Sequence, residues 1–188
     1  MKTIAIVGAG QAGSQAAQSL RQAGYDGRIA LIGDEPVPPY QRPPLSKKYL
    51  VGEVGRDRIA LQPEQFFTDN DIDCMFGVSV EHIEPDRQRL VLADGARLAF
   101  DGLLIATGSR SRPPPAPGAT QPAVHSIRKI SDVDALAPSL VSGRRVLIIG
   151  GDYIGLEVAA MARSAGLDGR ILEGATRLMA RTSASVLP

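Results

Sequence analysis

Two glycine-rich turns in this chain have the residue types and spacing to hold phosphate. The first is Gly8-Ala9-Gly10-Gln11-Ala12-Gly13, and the second is Gly150-Gly151-Asp152-Tyr153-Ile154-Gly155. Each follows an apolar run, Ile4-Ala5-Ile6-Val7 or Val146-Leu147-Ile148-Ile149, and each leads into an alanine-rich stretch. A strand entering a G-x-G-x-x-G turn that opens a helix aims backbone N–H groups and the helix N-terminus at a pyrophosphate. One such frame predicts one bound dinucleotide. Two in series predict two, which points to an electron-transfer flavoenzyme. The second frame departs from the pattern, because Asp152 stands where its middle glycine belongs.

The elements that must position these turns can be read around them. Residues 3–7 predict a buried parallel strand, residues 11–23 a helix ending near Gly24, and residues 28–32 a second buried strand. This βαβ opening places Asp34 or Glu35 at the roughly 20-residue spacing of an acidic ribose partner, with Glu35 favoured. Five prolines between Pro36 and Pro44 exclude helix or central strand there and predict a stiffened loop. Lys47-Lys48-Tyr49-Leu50 reads as a short helix. Residues 89–93, the Asp94-Gly95 turn and residues 96–100 read as antiparallel strands. Leu103-Leu104-Ile105-Ala106 reads as a further buried strand running into Thr107-Gly108, and the proline-rich residues 112–122 as a linker. Beyond Val146, residues 156–165 predict a helix and residues 170–173 a strand ending in the acid Glu173. A nucleotide domain needs roughly 100 residues or more to close its sheet, so this second unit is expected to be incomplete. The expected architecture is α/β, a Rossmann-like dinucleotide-binding domain whose parallel sheet carries an antiparallel β insertion, followed by that incomplete second Rossmann-like unit. Its divisions fall at 1–112, 113–143 (a linker and connecting segment) and 144–188.

Bulk composition narrows the function classes. The 188 residues carry a net charge of +1 with 44% apolar and 22% charged residues, ordinary for a globular protein and without a basic patch for nucleic acid. No apolar run approaches the ~20 residues that span a bilayer. A strand beginning near Thr3 leaves no room for a targeting peptide, and the single cysteine, Cys74, excludes internal disulfides. A reducing, cytoplasmic setting is expected. Cys74-Met75-Phe76 reads as core, His82 and His125 lie outside metal-ligand spacing, and Glu81 with Glu84 reads as a solvated strand face.

Pro39-Tyr40-Gln41-Arg42-Pro43-Pro44-Leu45-Ser46-Lys47 makes the reading more specific. Together with Leu104-Ile105-Ala106-Thr107-Gly108 and Gly150-Gly151-Asp152-Tyr153-Ile154-Gly155-Leu156-Glu157, it resembles the FAD-dependent ferredoxin reductases of bacterial oxygenase systems, the putidaredoxin reductase-like and rubredoxin reductase-like enzymes. The resemblance covers nearly the whole chain and about the N-terminal half of a family member. It implies that Gly8, Gly10, Gln11, Ala12 and Gly13 hold the FAD pyrophosphate and Glu35 the adenosine ribose. Arg42, Pro43, Lys47, Ala106, Thr107, Gly108 and Arg112 would line the flavin's path, with Val80 at the adenine end. NADH would fall to Gly150, Gly151, Tyr153, Ile154, Gly155, Glu157 and Glu173, the last acid favouring NADH over NADPH. Lys47 and Glu157 would form a catalytic pair. A lysine charge near the flavin N5–O4 edge stabilises the anionic reduced ring. The partner implied is an iron–sulfur ferredoxin or a rubredoxin.

Related disulfide reductases need a redox cysteine in the loop that here reads Gln41-Arg42-Pro43-Pro44-Leu45-Ser46. Without that thiol such chemistry has no nucleophile. At ~5 Å and an effective dielectric of ~20, Asp152 facing a pyrophosphate charge costs about 3 kcal/mol, on the order of 100-fold in NADH affinity. Either a shifted loop in a complete enzyme tolerates Asp152, or the chain is a truncated or decayed form that no longer binds the nicotinamide cofactor. Gly169 also departs, standing where a β-branched residue is usual. Two alternatives follow: an FAD-binding fragment that associates with another chain, or a flavoprotein reducing quinone or oxygen.

Overall fold

The apolar run at the start of the chain forms strand β1 (Thr3–Val7) of a parallel sheet. The computed structural model describes residues 2–180 and 182. Two units make up the chain, one of residues 1–41 with 56–110, the other of residues 42–55 with 111 onward.

In the first unit β1 is followed by helix α1 (Gln11–Gln22) and β2 (Arg28–Gly33). Two short helices, α2 (Arg56–Ile59) and α3 (Glu64–Asp69), precede β3 (Ile72–Phe76). The antiparallel strands β4 (Val80–Glu84), β5 (Arg89–Leu92) and β6 (Arg97–Ala99) come next, and β7 (Gly102–Ile105) closes the succession. The parallel sheet has the order β3-β2-β1-β7, with Val7 opposite Ile32 on one side and Ile105 on the other. Because side chains alternate across a strand, its two faces bury different partners. Ile6, Ile29 and Leu31 pack with Ala17 of α1 and Phe67 of α3. On the opposite face Ala5, Val7, Ala30 and Ile32 pack against Leu90, Leu92 and Leu98 of the antiparallel sheet. β3, which lacks a strong strand pattern in the sequence, is recruited because Ile72 and its neighbours extend this sheet.

Three expectations need correction here. Lys47–Leu50 forms turns rather than a helix, and the helical turn lies one step earlier, as a 3-10 turn over Pro43–Ser46. Proline at the first positions of a turn gives up no needed N–H, so the proline run stops short of excluding it. Leu104 and Ile105 of β7 are 39% and 60% exposed, because β7 is a sheet edge. Glu84 is not merely solvated: Arg89 hydrogen-bonds and ion-pairs with it and holds its carboxyl below the usual range. Cys74 does lie among the partly buried residues of the core.

In the second unit the 3-10 turn over Pro43–Ser46 packs against helix α4 (Ile130–Leu136) and against α5 (Tyr153–Ser164). α4 falls inside the segment expected as a connection. β8 (Arg145–Ile149) and β9 (Asp168–Leu172) flank α5 in sequence and pair in parallel, Ile149 opposite Leu172.

One side chain ties the first unit together at the far end of α1. Arg21 donates through Nε to the Asn70 carbonyl at 2.7 Å and through Nη2 to that of Asp71 at 2.8 Å. Its Nη1 donates to the carbonyls of Tyr25 at 2.6 Å and Gly27 at 2.8 Å. The helix end, the turn before β2 and the turn before β3 thus share one guanidinium. Hydrogen bonds from a charged donor contribute roughly 1.5–3 kcal/mol each, and they are not additive. Arg21→Met is expected to lower stability by about 2–3 kcal/mol. In urea unfolding the midpoint should fall while the slope stays unchanged; an unmoved midpoint would refute the role.

Candidate functional site

The first frame is set by a close crossing of helix and strand. Gly8 donates its N–H to the Ile32 carbonyl at 2.8 Å and has φ +115°, a conformation that favours glycine. A β-carbon on it would lie 2.2 Å from the Ala106 carbonyl oxygen, and one on Gly13 would lie 1.9 Å from the Gly8 oxygen. Gly10 is different: it takes an extended φ of −94° at the N-cap of α1, and a β-carbon there would meet nothing within 4 Å. The glycine therefore leaves a clear approach to the first-turn amides of α1, which have no partner within the helix. Gln11 and Ala12 in that turn are exposed. These features fit a pyrophosphate.

The other residues expected around FAD fall in both units. In the first, Ala106 donates its N–H to the Val7 carbonyl at 2.7 Å, and Thr107 and Gly108 follow it, exposed. Glu35 accepts a 2.5 Å hydrogen bond from the Tyr40 hydroxyl, while Asp34 is exposed. Val80 opens β4 and packs against the core. In the second unit Arg42 donates to the Arg128 carbonyl at 2.5 Å, Pro43 begins the 3-10 turn, and Arg112 is exposed.

Lys47 and Glu157 do meet, with Nζ 2.9 Å from Oε1. A third member escaped the sequence reading: Ser46, only 4% exposed, donates its hydroxyl to Glu157 Oε2 at 2.5 Å. Only the 3-10 turn, which orients Ser46 towards α5, reveals it. Burial works against ionisation of Glu157, but the Ser46 hydrogen bond and the Lys47 ammonium outweigh it and hold the carboxyl below its usual range.

The second frame repeats the first almost group for group. Gly150 has φ +105° and donates to the Leu172 carbonyl at 2.9 Å. A β-carbon on Gly155 would lie 2.0 Å from the Gly150 oxygen. Asp152 caps α5 with an extended φ of −85°, matching Gly10. Tyr153 and Ile154, at 57% and 54% exposure, stand open in the first turn. Glu173 accepts from the Gly151 N–H at 2.6 Å and the Ala175 N–H at 2.7 Å. By hydrogen-bond register Glu173 corresponds to Gly33, not to Glu35. The backbone of this frame matches that of the first, and Asp152 sets a carboxylate at the N-cap position where the first frame has Gly10.

Comparison with known proteins places the fold. A family model described as pyridine nucleotide-disulphide oxidoreductase matches residues 2–186. The chain belongs to that family. It is 46% identical over 185 residues to rhodocoxin reductase of Rhodococcus erythropolis, covering 98% of this chain and 43% of that protein. A crystal structure of a ferredoxin reductase from Rhodopseudomonas palustris superposes with a TM-score of 0.93 at 41% identity, covering 98% of this chain and 46% of the other. The reductase in a covalent putidaredoxin reductase–putidaredoxin complex gives 0.92 at 37%, covering 97% and 45%. The resemblance to the oxygenase-system reductases is thereby confirmed. The chain spans less than half the length of these relatives. The one cysteine lies in the partly buried core, and burial and then the Asp73 charge push Cys74 up to about 11, opposite to the lowered value of a reactive thiol. No cluster of three or more metal-ligating side chains occurs among the described residues. Nor is any helix among them long and apolar enough to cross a membrane.

The depressed Glu157 carboxyl gives a signed pH test. A group whose folded pKa lies below its unfolded value stabilises above the unfolded value, here 4.5, and loses that contribution as pH falls through the folded one. Glu157→Gln is expected to cost up to about 1 kcal/mol at pH 7, as for a partly exposed pair. The gap between wild type and variant in unfolding midpoint should close on acidification below the ordinary glutamate range. A gap that persists unchanged at pH 3 would assign the loss to packing instead.

Proposed function

We propose that this chain is the dinucleotide-handling portion of an FAD-dependent, NADH-oxidising reductase in a reducing, cytoplasmic setting. It would pass electrons to a two-iron ferredoxin or a rubredoxin that feeds an oxygenase. The observation that carries the reading is the Lys47–Glu157 pair at 2.9 Å, in a chain whose flavin loop has no thiol. The names of the relatives, rhodocoxin reductase among them, support it. When bound, FAD supplies two-electron acceptance and one-electron release, which lets a hydride donor serve a one-electron acceptor. The chain's own residues bind and tune. Gly8, Gly10 and Gly13 with the α1 amides hold pyrophosphate, and Glu35 the ribose. Lys47, steadied by Glu157 and Ser46, offers fixed positive charge for an electron-rich ring edge. Glu173 selects a free ribose hydroxyl over a 2′-phosphate.

An absorbance spectrum of the purified chain with added FAD, recorded anaerobically before and after NADH, tests this reading. A bound flavin spectrum that bleaches, and then recovers with ferredoxin faster than with quinone, is the expected outcome. Failure to hold any flavin would sink the reading. Faster recovery with quinone or oxygen would favour the third reading given above.

A second reading, a flavin-binding piece that assembles with further polypeptide, is favoured by apolar exposure within each unit. Ile105 on β7 is 60% exposed, and Leu147, Ile149 and Leu172 on β8 and β9 are 57–61% exposed. A groove of about 490 Å³ beside β7 is lined by Ile4, Ala16, Leu20, Ala23, Leu103 and Leu104 among others. Parallel strands are ordinarily covered on both faces, and open edges recruit pairing. The chain alone is expected to elute from gel filtration as a species larger than a monomer. A monodisperse monomer would oppose this second reading.

A further inference from the structure

The two frames of one chain serve as controls for each other. Gly8 and Gly150 share positive φ of +115° and +105°. A β-carbon on Gly13 or Gly155 would lie about 2 Å from the oxygen of the frame's first glycine, Gly8 or Gly150. Gly10 and Asp152 occupy the same N-cap position in the same extended conformation, φ −94° and ψ −162° against φ −85° and ψ −174°. Any L-residue adopts that backbone, so glycine at this position is not required by the fold. The space beside Gly10 is open in the protein, with nothing within 4 Å of a β-carbon. A side chain there would project into open space at the mouth of the frame. Asp152 makes no side-chain capping bond to α5, although aspartate is among the best capping residues. Its carboxylate stands at the helix N-terminus without a side-chain hydrogen bond to the first turn. Glu173 already brings one carboxylate to this turn through the Gly151 N–H at 2.6 Å.

We infer that Asp152 is the affinity-setting residue of the second frame, acting on the pyrophosphate of a nicotinamide dinucleotide by charge and not through the fold. The inference rests on the reading of that frame as the NADH site. It assigns the frame a preference that its backbone does not have: a nucleoside without phosphate binds undiminished, and a dinucleotide binds on the order of 100-fold more weakly than to a glycine version of the same frame.

The test is equilibrium dialysis of NADH against the full chain in excess FAD, comparing wild type with Asp152→Gly and Asp152→Asn. Glycine should tighten NADH on the order of 100-fold, with unfolding midpoints nearly unchanged, since glycine is a tolerated N-cap. Asparagine, similar in bulk but neutral, should recover most of that gain. The ratio between wild type and Asn should narrow as ionic strength rises, because screening weakens only the charged version. Adenosine should bind all three alike. The reverse transplant, Gly10→Asp, should weaken FAD on the same scale without unfolding the first unit. Equal NADH affinity in wild type and Asp152→Gly overturns the inference while leaving the NADH site standing. Recovery by glycine but not asparagine overturns the electrostatic assignment in favour of bulk. Absence of NADH binding in every variant removes the reading of the second frame and the inference with it.

Discussion

Neither nucleotide frame of this chain has room for a β-carbon where its helix crosses back over its strand. The hypothetical β-carbon of Gly13 lies 1.9 Å from the Gly8 oxygen, and that of Gly155 lies 2.0 Å from the Gly150 oxygen. This approach fixes the helix against the strand and so fixes where its first-turn amides point. Everything a pyrophosphate would use depends on that contact: the amides are directional, and a helix held further off would aim them elsewhere. The first frame carries an extra constraint, since Gly8 also faces the Ala106 backbone of the strand on its other side. Gly150 meets nothing within 4 Å, and the residues beside it on β8 and β9 are correspondingly open.

The same tightness explains where the acids sit. A β-carbon on Gly33 would lie 2.6 Å from the Ala9 β-carbon, whereas Gly151, in the position of Ala9, leaves room for Glu173 in the position of Gly33. At that crossing in the first frame a side chain on Gly33 would collide with Ala9, whereas in the second a β-carbon on Gly151 would stand 3.5 Å from that of Glu173. In the first frame the strand end is glycine, and the acid Glu35 lies two residues further on, held by Tyr40. In the second frame Glu173 follows the strand end directly and bonds the turn through the Gly151 N–H. Sequence spacing treats the two acids as counterparts, but packing gives them different neighbours.

What could be read from the sequence follows from the range of the forces involved. β1, α1 and β2, the Asp94-Gly95 hairpin, β8 and α5 were legible because glycine chemistry and apolar runs are local signals. The partnership of Lys47 with Glu157 came from resemblance, since no local rule joins residues so far apart. Ser46 was invisible because its role depends on a 3-10 turn placed one step before the expected helix. β3 was missed because its strand character comes from pairing with β2, and β7 was misjudged as buried because an all-apolar strand reads alike at the centre and at the edge of a sheet. Arg21 gave no signal at all, as its four acceptors are backbone carbonyls.

The family's name joins pyridine nucleotides to disulphides, and this chain separates them. A reactive thiol needs an electropositive, accessible setting that lowers its pKa. Cys74 has burial and an acidic neighbour, which raise it to about 11. The flavin loop offers Ser46 and Lys47 instead, and both engage Glu157. The resulting group accepts no electrons and forms no covalent link. It can hold a charge in one place: Lys47 pairs with a Glu157 that Ser46 also anchors, and so moves less than a free lysine on its flexible stem. In the proposed function such a fixed charge would serve to stabilise a reduced flavin ring in a loop that carries no thiol. By the same logic, a carboxylate added at a helix N-terminus can change what a frame accepts without disturbing the backbone that built it.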